Sequence, residues 1–238
     1  MSRVILHCDM NNFFASFETL IDPSLADKCL AVCGNKEERR GIVLAKNEAA
    51  KKYGVATAEP IWQAQKKCPS LVIVEPHYER YSYFSERAKD IYARFTDLIE
   101  PFGIDECWLD VTGSVRLFGN GEKIADEIRN SVRNELGLTV SVGVSFNKVF
   151  AKLGSDMKKP DAVTVIDENN FKEKIFSLPA SDLIGVGKSA KENLHRIGVD
   201  TIGELADLPY DTAVRRLGKH GGTLWHYANG LDCSTVAH

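Results

Sequence analysis

The stretch VILHCDMNNFFASFETLID (4–22) decides how the chain is read. Its first seven residues, VILHCDM (4–10), are an apolar run of strand length that carries a carboxylate, Asp9, near its end. The period then changes: Phe13, Phe17 and Leu20 recur at roughly helical spacing through residues 12–22, and Pro23 closes that helix. A carboxylate at the edge of a buried strand is costly unless something compensates its charge. A second acidic feature stands in PFGIDECWLDVTGS (101–114), a turn followed by alternating residues that reads as a hairpin and strand with Asp105 and Glu106 in the turn. Taken separately, Asp9 reads more readily as a cap for the following helix, and Asp105–Glu106 as decoration of a turn. Asp110 shares the later strand, but its spacing suits a role beyond the site. Three converging carboxylates would repel one another, and a divalent cation is the usual remedy. Magnesium takes oxygen ligands, commonly one or two carboxylates plus substrate phosphates.

Bulk properties narrow the class. The 238 residues, 44% hydrophobic and 26% charged, are ordinary for a soluble globular protein of more than one compact unit. No apolar run approaches the ~20 residues needed to span a bilayer, and the N-terminus is too soon interrupted for a secretion signal, so the expectation is a cytoplasmic protein with no membrane partner. The six cysteines include no CxxC pair, which favours reduced, packed thiols over structural zinc. A net charge of −3 argues against a whole-surface nucleic-acid binder. Local patches survive that test: residues 28–67 hold nine Lys/Arg against four Glu, and Lys148, Lys152, Lys158 and Lys159 surround a single Asp156.

Further strands are expected at LAVCG (30–34) and GIVLA (41–45), joined by the charged turn NKEERR, and at TVSVGVS (139–145) and AVTVI (162–166). Helices are expected at NEAAKKYG, PIWQAQKKCP, a long one over 78–99, GNGEKIADEIRNSVRNELG and NKVFAKLGSDMKK. From residue 167 the pattern is wholly helical, with the last two segments expected at YDTAVRRLG (210–218) and GGTLWHYANG (221–230). This order predicts an α+β domain interrupted by an insertion near 11–76 and followed by an all-helical module.

DMNNFFASFE (9–18) together with IDECWLD (104–110) resembles the paired signatures of the Y-family (translesion) DNA polymerases, the second of which normally reads SIDEAYLD. The likeness continues through KNEAAKKYGV (46–55), SVGVSFNKVFAKLGSDMKKP (141–160) and LIGVGKSAKENLHRIGV (183–199), in the family's order and spacing over essentially the whole chain. The resemblance implies a ferredoxin-like palm (1–10 and 77–166), a small α/β fingers insertion (11–76) and an all-helical thumb (167–238) with a helix–hairpin–helix. It implies a nucleotidyl transferase that adds dNTPs to a primer 3′ end on a template. Asp9, Asp105 and Glu106, with the carbonyl of Met10, would hold two Mg2+ ions. Phe14 matches an aromatic steric gate against ribose 2′-hydroxyls. Phe13, Phe14, Lys51 and Lys159 would face the triphosphate, Lys148 and Lys152 the primer phosphates, and Gly185, Val186, Gly187 and Lys188 the duplex backbone. The implied partners are primed DNA and a sliding clamp, the latter through a C-terminal region beyond this chain, with the protein itself a monomer.

The sequence departs from the family where Thr, Tyr and Arg are usual, with Ala45, Glu48 and Lys51 instead. Lys51 keeps a charge without the bidentate fork of arginine. Lys46 and Lys51 together resemble the mutagenic SOS branch more than the DNA polymerase IV branch. Gly103 replaces a usual serine, and Asn11 a common second Asp that is not counted as a ligand. Ile42 and Leu44 match positions that roof the base pair and are bulkier than is common there. The rival functions are a palm-type nucleotidyl cyclase and a catalytically weak or inactive DNA-binding accessory protein.

Overall fold

Strand β1 (Ile5–Met10) is buried along its whole length, as its apolar run predicts. Asn12, at a left-handed φ of 47°, turns the chain directly into helix α1 (Phe13–Ile21). After it come β2 (Leu30–Cys33), β3 (Val43–Lys46), α2 (Glu48–Lys52), α3 (Ile61–Lys67) and β4 (Val72–Val74). Helix α4 (Tyr78–Tyr92) leads to β5 (Ile99–Pro101) and β6 (Glu106–Asp110), and then to α5 (Val115–Phe118) and α6 (Gly121–Leu136). Strand β7 (Val140–Ser145), α7 (Lys148–Met157) and β8 (Val163–Ile166) complete the mixed part. Helices α8 (Phe171–Ile175), α9 (Lys188–Arg196), α10 (Ile202–Asp207) and α11 (Tyr210–Ala228) follow. The computed structural model describes residues 2–34 and 41–237, so the expected charged turn at 35–40 lies outside the described residues.

Three local expectations change. The helix over 78–99 stops at Tyr92, although its apolar period runs on through Phe95. Residues 96–101 are taken instead by the sheet: the Thr96 hydroxyl donates to the Asp110 carbonyl at 2.7 Å, Asp110 N donates to Leu98 O, and Ile99 pairs with Leu109. Strand β4 was not anticipated; it exists because β2 offers it a parallel partner. The two C-terminal helical segments run together as α11 across a kink at Gly218, whose φ of 67° no helix accommodates.

The main sheet has the order β5-β6-β1-β7-β8, with β1 antiparallel to both neighbours and β8 parallel to β7. Side chains alternate along β1. Leu6, Cys8 and Met10 face a core shared with Phe13, Phe17, Tyr81, Ile91, Ile124 and Ile128, from α1, α4 and α6. Ile5 packs on the opposite face with Trp108 and Ala151, beneath α7. The second sheet, β3-β2-β4, buries Ala31, Cys33 and Val43 against α2 and α3 on one side, and Leu30 and Val32 against Ala15 of α1 on the other. Helix α1 thus bridges the two sheets. The C-terminal helices close over Phe150 and Leu153 of α7 with Ile175, Leu194, Ile202 and Leu224. Among the described residues no helix is long and apolar enough to cross a membrane.

The approach of α7 to the sheet is set by Gly143. A Cβ there would lie 1.9 Å from the Ala151 carbonyl oxygen and 2.5 Å from Ser155 N, both backbone atoms of α7. Gly143→Ala is therefore expected to push α7 outward and to cost about 2 kcal/mol or more, lowering Tm by about 5 °C or more in thermal melts. Gly113→Ala, whose Cβ meets nothing within 4 Å, should leave Tm nearly unchanged.

Candidate active site

Register builds the acidic end of the cleft. Strand pairing sets Asp9 directly opposite Glu106, and Met10 N donates to Asp105 O at 3.0 Å, so the three carboxylates fall at one end of the β1–β6 pair. Lys152 reaches them from α7, with its Nζ 2.7 Å from Glu106 Oε2, 3.3 Å from Asp9 Oδ2 and 3.4 Å from Asp156 Oδ2. Lys159, just beyond α7, places its Nζ 2.6 Å from Asp9 Oδ2 and 2.7 Å from Asp156 Oδ1. The loop bearing Lys159 is tied down by Asn11, whose Oδ1 accepts from Asp161 N at 2.8 Å while its Nδ2 donates to Ser141 Oγ at 2.8 Å. Asn11 is thus a positioning residue for a lysine. Asp110 serves a turn, its Oδ1 accepting from the Thr112 amide and hydroxyl.

The charges are unevenly compensated. Burial raises the Asp105 carboxyl, and the neighbouring charges of Asp9 and Glu106 add to this, bringing its pKa up to about 6. Burial acts on Glu106 in the same sense, yet His7 and Lys152 outweigh it and hold that carboxyl down at about 2. His7 lies fully buried beneath the acids. The Ser155 hydroxyl donates to Lys152 O at 2.7 Å, so the 2.9 Å contact between His7 Nδ1 and Ser155 Oγ assigns the proton to Nδ1. Burial pushes the imidazole pKa down, while the Glu106 carboxylate, with Oε2 3.2 Å from Nε2, works against that shift. Glu106 Oε2 thus lies between His7 Nε2 and the Lys152 ammonium, 2.7 Å away.

Among the described residues, His7, Asp9 and Glu106 form the group able to hold a metal ion, with ligand atoms within 4.8 Å of one another. Asp105 lines the same cleft. This surplus of facing acceptors fits a cation, and the carboxylate oxygens suit a hard one.

The cleft holds about 390 Å3. Its floor is the acidic group with Met10, one wall is Phe13 and Phe14, and the roof is Leu44, Ala45, Lys46 and Thr57 from β3 and the segment after α2. Lys159 lines it as well. Lys51 does not: its side chain is 59% exposed, and its Nζ lies 3.8 Å from Glu48 Oε1, which accepts from Asn12 Nδ2 at 3.1 Å. Lys46 stands in the roof instead, donating to Thr57 Oγ1 at 2.9 Å. Strand β3 is bulged at Leu44, with Ala45 opposite Val32 and Val43 opposite Cys33, so the sequence period carried no signal that Lys46 would reach the cleft.

Lys148 and Lys152 part company. Lys148 is bonded to Glu100 at 2.6 Å and stands 4.4 Å from the centre of the Trp108 ring, whereas Lys152 belongs to the acidic group. Gly185, at φ 90°, and Gly187, the N-cap of α9, form a separate groove with Ser189, Asn193 and His220. Gly185 O lies 3.0 Å from His220 Nε2.

Known proteins share both sequence and fold. Residues 8–156 match the model of the impB/mucB/samB family. A protein of Acetivibrio thermocellus named DNA polymerase IV is 61% identical over all of this chain, which covers 59% of that protein. DNA polymerase IV 1 of Bacillus subtilis is 40% identical over 99% of this chain and 56% of its own length. The chain thus spans about three fifths of the length of these relatives. Their names do not follow the lean toward the SOS branch drawn from Lys46 and Lys51. Among solved structures, DinB from Sulfolobus solfataricus superposes with a TM-score of 0.89 at 28% identity, and an insertion ternary complex of Dbh DNA polymerase with 0.89 at 29%. Each covers 98% of this chain, which spans 69% of the matched structure. With its acids at the end of β1 and β6 and its fold shared with the Y-family polymerases, the chain belongs to the impB/mucB/samB family.

Proposed function

We propose that this chain is the catalytic portion of a template-directed DNA polymerase that adds deoxynucleotides to a primer 3′ end during translesion synthesis in the cytoplasm. The observation that carries this reading is the convergence of Asp9, Asp105 and Glu106 on the floor of a cleft walled by Phe13 and Phe14. The palm is residues 1–10 and 77–166, the fingers 11–76 and the thumb 167–238. Asp9, Asp105 and Glu106, with the Met10 carbonyl, would hold two Mg2+ ions. Such ions activate the attacking hydroxyl and stabilise the leaving pyrophosphate.

The chain's own residues position and neutralise. Lys159, ion-paired with Asp9 and Asp156, would be available to a triphosphate if a cation held the Asp9 carboxylate. The first amides of α1 belong to Phe13 and Phe14, which line the same cleft, and would favour anionic oxygens there. Phe14 is the wall that excludes a ribose 2′-hydroxyl. The lost Thr, Tyr and Arg of the family's fingers are replaced by Lys46, held in the roof by Thr57, and not by Lys51. Gly185, Val186, Gly187 and Lys188 present backbone amides and one cation to a DNA strand without reading its sequence. Lys148 is held by Glu100 and stands outside the cleft. A sliding clamp would engage residues beyond this chain, and the working unit is a monomer. A cyclase has no use for the Phe14 wall or the Gly185 hairpin.

The full-length protein should extend a primed template with Mg2+ and dNTPs. Asp105→Asn should cut the rate by about a hundredfold or more while DNA binding persists. DNA binding without extension by the wild type would leave the accessory function standing, and a cyclic product from free nucleotide would favour the cyclase. Steady-state kinetics should show Lys46→Ala raising KM for dNTP about tenfold. Lys51→Ala should stay within about twofold, as expected of an exposed charge already paired. Phe14→Ala should raise ribonucleotide incorporation, measured as alkali-labile sites in the product.

A further inference from the structure

Behind the Phe14 wall lies a polar group that nucleotidyl transfer leaves unused. Glu18, one helical turn beyond Phe14 in α1, is 1% exposed. A carboxylate in that position is expensive to bury and would ordinarily be matched by lysine or arginine. Among the described residues its ion-pair partner is His77, whose Nδ1 lies 2.9 Å from Glu18 Oε1. The same oxygen accepts a short hydrogen bond from the Tyr81 hydroxyl. Tyr81 is fully buried, and its ring lies nearly parallel to that of Phe14, with centroids 4.1 Å apart and planes 13° apart.

We propose that Glu18, with His77, is a clasp that fixes Tyr81 and through it the ring of Phe14, and so sets how strictly the cleft refuses a ribose. The inference rests on Phe14 being the sugar gate. Stacking fixes how far apart two rings lie but lets one slide over the other. The hydroxyl bond to Glu18 removes that freedom, because the Tyr81 ring is then held at its far end as well as on its face. Slack matters here because contact energies change steeply with distance: a radial gap of ~0.5–1 Å already forfeits a quarter to a half of a contact well. A gate ring free to yield by that amount has room for an added hydroxyl. His77, with a half-exposed side chain, holds the carboxylate from the solvent side, so the chain of contacts runs His77–Glu18–Tyr81–Phe14 from surface to cleft.

The test is the ratio of kcat/KM for dNTP over rNTP, measured with the full-length protein on a primed template. Tyr81→Phe keeps the stack and loses the anchor; Glu18→Gln keeps the volume and weakens the acceptor. Both should lower the ratio about threefold to tenfold, chiefly through a lower KM for the ribonucleotide. The double variant should lose no more than the worse single, since one interaction is removed twice. His77→Gln, a half-exposed position that folding tolerates, should lower the ratio in the same direction and keeps the test open should a buried variant fail to fold. Unchanged selectivity in Tyr81→Phe and Glu18→Gln, while Phe14→Ala admits ribonucleotides, overturns the clasp and leaves the gate standing. Unchanged selectivity in Phe14→Ala overturns the gate and the clasp together.

Discussion

Mutual repulsion among three carboxylates is the constraint around which this molecule is organised. Asp9 and Glu106 are cross-strand neighbours by register, and Asp105 precedes Glu106. Like charges opposed in a sheet destabilise it unless matched. The protein matches them with Lys152 and Lys159, and the match is incomplete: Asp105 is driven up to about 6 while Glu106 is held near 2. That split belongs to one acidic group with its cations gathered on the α7 side. The uncovered side opens on the cleft, where the cation and phosphates of the proposed function would complete the balance.

Helix α7 delivers this compensation, and it does so only because the sheet beneath it has no side chain at Gly143. The same helix carries Lys152 and Ser155 on its sheet side, and Phe150 and Leu153 against the C-terminal helices. Packing and electrostatics therefore share one element. Helix α1 plays the complementary part: Ala15 meets the second sheet, Phe13 and Phe17 meet the main core, and Phe14 is left to line the cleft.

Legibility in the sequence followed the range of the interactions. Strands β1 and β7 and helices α1, α6 and α7 were visible because each carries its own period and its own ends, such as Asn120 and Asn147 bonding the first turns of α6 and α7. The end of α4 and the existence of β4 were hidden, because both depend on pairing with another segment: the adjacent strand β6 recruits residues 96–101, and the distant β2 supplies a neighbour for Val72–Val74. Lys46 and Lys51 show the same limit within the site. Two lysines five residues apart look interchangeable in a list, yet one lies on a strand facing the cleft and the other on a helix facing solvent.

By itself, the sequence determined the chemistry available: three acids at element ends, an aromatic helix start, a lysine-rich helix and a glycine hairpin, in an order that carries its family resemblance. Only the tertiary structure decided how they are used. Strand register made Asp9 and Glu106 partners, the absence of a side chain at Gly143 brought Lys152 within reach of both, and Asn11 became a tether for the Lys159 loop. Glu18, one acid among 33 Asp and Glu in the sequence, became a buried clasp on Tyr81 because α4 packs against α1. The physical reason is the same in each case: residue type sets what an atom can bond, but distance and burial set the strength of that bond, and both come from segments far apart in the chain.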